Sequence, residues 1–330
     1  MDDKIALEEH LNTELNNSLW DEGGEAARNG PTYMADVKAK LMDVEERVRL
    51  MNEHGIRLTI VSLTAPGIQS ILDKDQATEV ARETNDTIRR AFVDAHPCRF
   101  AFFASVALQD PEAAAQELER AVRDLGAKGA LINGYTNISD TDTARYLDEP
   151  ANLPFWDKVA QLGVPVYLHP REPLPAVQRL YQGYESLVGS AWGFGHETAT
   201  HAVRLMLSGL FDTYPDIQIV LGHLGEGLPF LLPRLEHRLH KQREGVGLGA
   251  AKRRISEYFN ENFVLTTSGH FHTRTLYDAI GEIGIDRVLF SVDYPYESMA
   301  EGAAWFDNSL LCHDDQIKIG RTNAERIFGL

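Results

Sequence analysis

The sequence predicts an α/β protein folded as a closed (β/α)8 TIM barrel with extended loops over one face, and three observations predict it. Short β-branched or aromatic runs come up eight times, each separated from the next by a longer helical pattern. Several of these runs are apolar nearly throughout, as parallel strands covered on both faces require. A chain of 330 residues, 43% of them apolar, suits one barrel of about 250 residues carrying insertions. An open doubly wound sheet is the alternative, but the glycine fingerprint that usually follows its first strand is missing. No repeat or change of composition marks a boundary, so residues 1–330 read as one domain.

In chain order the strands are expected at 4–7, 58–63, 100–107, 129–133, 165–168, 217–222, 263–267 and 287–292. Among the helices, 77–95 carries Val80, Ala81, Ile88 and Ala91 at helical spacing. Asp110-Pro111-Glu112 opens the next helix with a capping side chain, a Pro in the first turn and an acidic residue after it; it stops near Gly126. A further long helix is expected over 197–214, ended by Tyr214-Pro215. Three long irregular stretches follow the first, fourth and fifth strands, at 12–38, 135–153 and 171–195. The first of them contains Gly23-Gly24 and Gly30-Pro31. All three are expected to shape a pocket.

Composition narrows the function. A formal net charge of −17 repels nucleic acid and anionic membrane surfaces, and an anionic substrate then needs a local positive centre, a metal or a placed Arg. The two cysteines, Cys98 and Cys312, have no metal-ligand spacing and form no disulfide framework, as in a reducing cytoplasm. No basic and apolar leader opens the sequence and no run of about 18 apolar residues occurs, so a soluble cytoplasmic protein is expected.

Barrels of this kind carry their active site at the C-terminal ends of the strands. Four predicted strand ends bear His or carboxylate: Glu8-Glu9-His10, His169-Pro170-Arg171, His223-Leu224-Gly225-Glu226 and Asp293-Tyr294-Pro295. Glu8 and His10 are two apart on a strand and point the same way, while Glu9 points outward in a structural role. With His169 and Asp293 they make two imidazoles and two carboxylates, a set suited to Zn2+ or Mn2+ with room for water or substrate. Singly, each has an ordinary alternative: a hydrogen-bonded structural His169, a solvated Glu8, a capping Asp293.

Competing patterns carry less weight. His196-Glu197-Thr198-Ala199-Thr200-His201 has one residue too many for the helical zinc motif, and His residues five apart on a helix diverge by about 140°. His270 and His272 also have two-residue spacing, but a solvated loop or helix start is the reading taken there, with His270 lining the pocket. Gly245-Val246-Gly247-Leu248-Gly249 follows a helix and reads as a flexible loop.

Ala6-Leu7-Glu8-Glu9-His10, Tyr167-Leu168-His169-Pro170-Arg171, Gly222-His223-Leu224-Gly225-Glu226 and Phe290-Ser291-Val292-Asp293-Tyr294-Pro295 resemble the amidohydrolase superfamily, specifically its decarboxylase branch. The likeness runs from about residue 4 through Asn262-Phe263 and Thr266-Thr267-Ser268-Gly269 to Ile319-Gly320-Arg321-Thr322-Asn323-Ala324. It implies one divalent ion per subunit, Mn2+, Zn2+ or Mg2+, on Glu8, His10, His169 and Asp293, with no organic cofactor. It also implies His223 and Glu226 as a catalytic pair, Arg234 reaching a neighbouring subunit's site, and a homotetramer or dimer. Hydrolytic members often carry His-x-His on the first strand and a bridging Lys on the fourth. Here Glu8-x-His10 and Asn133 stand there, which argues for one metal. His10 in place of the Ala frequent in 2,3-dihydroxybenzoate and salicylate enzymes leans towards 2,6-dihydroxybenzoate.

The expected reaction is therefore loss of carbon dioxide from a small aromatic carboxylate. Asp293 would be the acid, and Trp192, Phe194 and Tyr296 would wall the ring. A metal-dependent hydrolase or hydratase of the same superfamily and a metal-binding protein without catalysis are the rivals.

Overall fold

The structure, a computed structural model, describes residues 1–19 and 25–330; the Gly23-Gly24 pair lies outside them. Eight parallel strands alternate with helices: β1 Lys4–Leu11, β2 Ile56–Leu63, β3 Phe100–Phe102, β4 Ala130–Asn133, β5 Val166–His169, β6 Ile219–Leu221, β7 Phe263–Thr266 and β8 Val288–Leu289. They pair in sequence order, β1 to β3 as one run and β4 to β8 as another. A bridge between Ala104 and Ala130 joins the runs at β3 and β4, and a bridge between Glu9 and Tyr294 joins β1 to the segment after β8. The two bridges close the ring, and the open-sheet alternative falls.

Alternation along the strands sorts the core into two layers. Leu7, Ile60, Ala101, Leu131, Tyr167, Val220, Val264 and Leu289, one from each strand, fill the barrel interior with Phe103 just after β3, and Ala324 and Phe328 of the terminal helix Asn323–Phe328 pack against them. Neighbours facing the other way, Ala6, Val61, Phe102, Ile132 and Leu168 among them, pack against the helices. An apolar interior of this kind is a packed floor, so polar chemistry is confined to the strand ends. No helix among the described residues is long and apolar enough to cross a membrane.

Several boundaries differ from the expected ones for identifiable reasons. β1 runs to Leu11, so Glu8 and His10 lie within the strand rather than beyond it. β8 stops at Leu289 instead of 292, because side chains replace the ladder there: Ser291 N donates to Thr267 Oγ1 at 2.9 Å and Val292 N to Glu9 Oε1 at 2.9 Å. The helix expected over 197–214 is Gly193–Leu207 followed by the short Leu210–Thr213. The break falls at Gly209, whose φ of 81° leaves the right-handed helical region. The helix expected over 77–95 is Lys74–Ile88, continued as a wider-turned segment Arg89–Asp94. Asp110 caps the helix Pro111–Arg123 as expected, accepting from Ala113 N at 3.1 Å.

His196 and His201 do not converge. His196 is exposed, whereas His201 is buried and its Nε2 accepts from Leu147 N at 2.8 Å. Burial first, with Arg204 adding to it, pushes the His201 imidazole down to about 3, against the pull of Asp148. The unfolded chain takes up that proton near pH 6.5. Stability is thus whole above that pH and falls as the pH drops from 6.5 towards 3, by about 1.4 kcal/mol per pH unit. His201→Gln keeps an acceptor for Leu147 and is expected to shrink the loss of urea midpoint between pH 7.5 and 5. An acid sensitivity equal to that of the parent chain would refute the assignment.

Two glycines at positive φ provide a test of the ring closure. Gly163 caps Leu153–Leu162 at φ 63° with open space around it, whereas a Cβ on Gly129, just before β4, would lie 2.2 Å from Pro165 O. Gly163→Ala is expected to cost about 1–2 kcal/mol of local strain. Gly129→Ala should lower the thermal midpoint several degrees further, because the β4–β5 backbones must part. Equal midpoints would contradict that close approach.

Candidate metal centre and active site

Glu8, His10, His169 and Asp293 converge as expected. Each offers one ligand atom, and these atoms lie within 4.8 Å of one another. His10 Nε2 is 3.2 Å from Asp293 Oδ1, and His169 Nε2 is 3.2 Å from Glu8 Oε1. The two imidazoles meet edge to face with centroids 4.6 Å apart. Glu8 and His10 are fully buried, yet Glu8 Oε1 and His10 Nε2 have no hydrogen-bond partner among the described residues. Leaving such atoms unmatched costs roughly 1–3 kcal/mol each, and a divalent cation between them would remove that cost.

The protonation states agree with ligation. Burial, with the neighbouring His169 next, pushes the His10 imidazole down, outweighing Asp293 and Glu8. Burial opposes ionisation of Glu8, but His223, His169 and His10 together hold its carboxyl well below the usual carboxylate range. Neutral imidazole and ionised carboxylate are the forms that bind metal. Two nitrogen and two oxygen donors carrying two negative charges suit a divalent ion of the Mn2+ or Zn2+ type.

The local chain explains how these groups are held. Ser291 Oγ accepts from Glu8 N at 2.5 Å and Leu7 N at 3.2 Å, and Asp293 N donates to Glu8 O at 2.9 Å. Asp293 itself sits at φ 80°, a conformation that persists only where surroundings impose it. The Tyr167 hydroxyl donates to Glu8 Oε2 and lies 2.9 Å from Thr266 Oγ1. Burial and then the Glu8 carboxylate hold that phenol protonated. Arg47 donates to His10 O and places its guanidinium 4.6 Å from the centre of the Tyr294 ring. Glu9 does point away from the ligands, as expected, and is buried against Val292 N. Burial pushes its carboxyl up to about 8 in spite of Val292 N–H and Arg47.

His223 and Glu226 stand beside the ligand set on an unusual turn. His223, Leu224, Gly225 and Glu226 have φ values of 51°, 56°, 87° and 55°. The left-handed conformation costs about 1–2 kcal/mol at each residue other than glycine. The turn brings His223 Nδ1 to 2.8 Å from Glu226 Oε1 and leaves Nε2 3.6 Å from Asp293 Oδ2 and 4.0 Å from Glu8 Oε1. Lost hydration lowers the proton affinity of His223, but the carboxylates of Glu226, Glu8 and Asp293 outweigh it and hold the imidazole protonated well above its ordinary range.

The expected substrate contacts divide. The Tyr296 ring meets His10 edge-on at 5.7 Å, and its hydroxyl pairs with Thr64 Oγ1 at 2.5 Å. His270 is half-buried, its Nδ1 3.4 Å from His223 O. These two border the centre. Phe194 is partly buried at the start of Gly193–Leu207, next to Gly195, whose Cβ would touch Glu226 Oε2 at 3.0 Å. Trp192 is 53% exposed, its ring against His196 at 4.4 Å, and Arg234 is exposed on the helix Leu228–Gln242. Neither stands with the convergent group. Tyr167, Thr266, Ser291 and Gly222 stand in the motifs quoted from the sequence but were given no role there, and Arg47 went unnoticed, although Tyr167 lies two residues before His169, on the same inward face.

Gly222 supplies a direct test of the cradle. A Cβ there would lie 2.5 Å from Glu8 Oε2 and 3.1 Å from Oε1. Gly222→Ala must displace that carboxylate and is expected to weaken binding of Mn2+ at least about tenfold in a calorimetric titration. Affinity equal to that of the parent chain would sink the placement of Glu8 among the ligands.

Comparison with known proteins agrees with this geometry. The family profile described as Amidohydrolase matches residues 20–330. The chain is 48% identical over 332 residues to a gamma-resorcylate decarboxylase of Polaromonas sp. strain JS666, covering 100% of this chain and 99% of that one. It is 47% identical over 334 residues to one from Rhizobium radiobacter, with the same coverage. Among solved structures, a 2,6-dihydroxybenzoate decarboxylase in complex with 2,6-dihydroxybenzoate superposes with a TM-score of 0.94 at 46% identity, over the whole of both chains. A dihydroxybenzoic acid decarboxylase of Polaromonas sp. JS666, with bound manganese and the inhibitor 2-nitroresorcinol, gives 0.93 at 48% identity over 100% of this chain and 98% of that one. By its barrel, its strand-end constellation and its likeness from end to end, this chain belongs to the amidohydrolase family.

Proposed function

We propose that the chain is a metal-dependent carboxy-lyase that converts 2,6-dihydroxybenzoate to resorcinol and carbon dioxide. The observation that carries this reading is the convergence of Glu8, His10, His169 and Asp293 beside the His223–Glu226 pair. The full-length likeness to decarboxylases of dihydroxybenzoates supports the choice of substrate.

Direct loss of carbon dioxide from an aromatic ring leaves an aryl carbanion of prohibitive energy. Protonating the ring carbon that bears the carboxylate avoids it, and an ortho oxygen makes that carbon electron-rich. A divalent cation held by Glu8, His10, His169 and Asp293, manganese by preference, would supply Lewis-acid stabilisation of the charge on the ortho oxygen and carboxylate. Asp293 Oδ2 delivers the proton to the ring carbon and forms the new C–H bond. The bond from that carbon to the carboxylate then breaks, its electron pair returns to the ring, and carbon dioxide leaves. His223 Nε2, 3.6 Å from Asp293 Oδ2, hands Asp293 the proton it delivers and is itself reprotonated from solvent once carbon dioxide has left, and Glu226 on Nδ1 keeps the ring aimed. The buried floor of Glu8, His10 and Tyr167 excludes water from this step. Running backwards, the same groups carboxylate a phenol at high bicarbonate.

The substrate's ring lies against Tyr296 and Phe194, with His270 at its edge. Trp192 and Arg234, standing outside the convergent group, act at the pocket rim or towards a neighbouring subunit of a homo-oligomer, dimer or tetramer. The cytoplasm is the proposed location.

Incubation of the Mn2+-loaded protein with 2,6-dihydroxybenzoate, followed by chromatography, should yield resorcinol. 2,3-Dihydroxybenzoate and salicylate should react more slowly. Asp293→Asn should retain bound metal and lose at least about 100-fold in turnover. Metal retained together with full turnover would refute the acid role. Normal metal binding with no turnover on any hydroxybenzoate would refute the lyase reading and favour a hydrolytic or purely metal-binding protein.

A further inference from the structure

Tyr167 does no more than floor the pocket in the chemistry above, yet its hydroxyl is set into the apolar filling of the barrel beneath the ligands. The residue is fully buried, and its ring packs against Phe103 with centroids 5.7 Å apart. Phe would fill the same space, and a hydroxyl in such surroundings costs free energy unless it is matched. It is matched twice, by Glu8 Oε2 and by Thr266 Oγ1 at 2.9 Å. Direction follows from the partners. An ionised carboxylate only accepts, so the phenol proton points at Glu8, and the Thr266 hydroxyl must donate to the phenol oxygen. The result is a one-way relay, Thr266 to Tyr167 to Glu8, among three fully buried side chains.

The relay divides the two oxygens of Glu8. Oε2 is taken by Tyr167 and lies against Gly222, where even a Cβ would intrude at 2.5 Å. Oε1 has no hydrogen-bond partner among the described residues and faces His169 Nε2 at 3.2 Å and His223 Nε2 at 4.0 Å. Carboxylates bind cations through one oxygen or two. An ion held through one atom of each of the four residues would keep coordination positions free, and an ortho-hydroxybenzoate chelating through its phenol and carboxylate oxygens needs two. A Glu8 free to turn would close one of them. We infer that Tyr167 is a positioning residue that keeps Glu8 a one-oxygen ligand and so reserves a coordination position for the substrate; this rests on the reading of Glu8 as a ligand.

The test uses the full-length protein loaded with Co2+, whose visible absorption reports coordination number. Tyr167→Phe should fold with a thermal midpoint close to the parent's and still bind the ion. Its absorption bands should change in shape and intensity, and the KM for 2,6-dihydroxybenzoate should rise about tenfold with a smaller change in kcat. Thr266→Val keeps the phenol but frees its proton to turn, and should move the same readouts in the same direction by less. An unchanged spectrum and an unchanged KM in Tyr167→Phe would overturn the inference. Were that variant not to fold, an unchanged spectrum in Thr266→Val would overturn it equally. Failure of the parent chain to bind Co2+ would instead bring down the ligand reading of Glu8 and this inference with it.

Discussion

The site depends on the joint where the cylinder closes. β1 meets the segment after β8 through one bridging pair, Glu9 with Tyr294, because β8 itself is only two residues long. Three of the four ligand candidates flank that joint, Glu8 and His10 on one side and Asp293 on the other, while His169 comes from β5. Side chains do the work a longer ladder would otherwise do: Ser291 Oγ takes Glu8 N, Glu9 Oε1 takes Val292 N, and Arg47 covers His10 O and the Tyr294 ring. Closing the barrel and assembling the metal centre are therefore one event. The constraint explains why polar residues as costly to bury as Glu9 and Arg47 sit behind the site.

Within the centre, one residue type serves two ends. His10 is driven towards the neutral form by burial and by His169, and keeps a lone pair for an ion. His223 is held as the cation by three carboxylates and keeps a proton to give. The two differ in surroundings and not in chemistry, and environments that push like groups apart are how acid and base roles are divided in one pocket. A net charge of −17 adds nothing locally; the positive centre an anionic substrate needs must come from the ion and from His223.

Much of this was legible in the sequence because it obeys simple periods. Alternation along β1 put Glu8 and His10 on one face and Glu9 on the other, and eight apolar runs implied the ring that brings His169 and Asp293 to them. Strand ends were less legible, since hydrogen bonds from Ser291 N and Val292 N to the Thr267 and Glu9 side chains end β8 early and no periodicity encodes them. The break at Gly209 was hidden inside an otherwise helical pattern. Tyr167 was named only as part of a motif; it packs in the core, and only the third dimension puts its hydroxyl under Glu8. Trp192 and Arg234 were harder still: Trp192 precedes the helix Gly193–Leu207 and Arg234 stands on the exposed side of Leu228–Gln242, and no periodicity says which exposed residue borders a pocket.

The turn His223–Leu224–Gly225–Glu226 has one more implication. Leu224 spends conformational free energy in a left-handed geometry while its side chain stays buried. Glycine or asparagine tolerates that geometry far better. Laboratory evolution that selects for heat resistance alone would find relief there, and the relaxed backbone would let His223 drift from Asp293. Robustness and catalytic competence thus pull in opposite directions at a position that touches no reactant, and a selection scheme for an industrial variant has to score both.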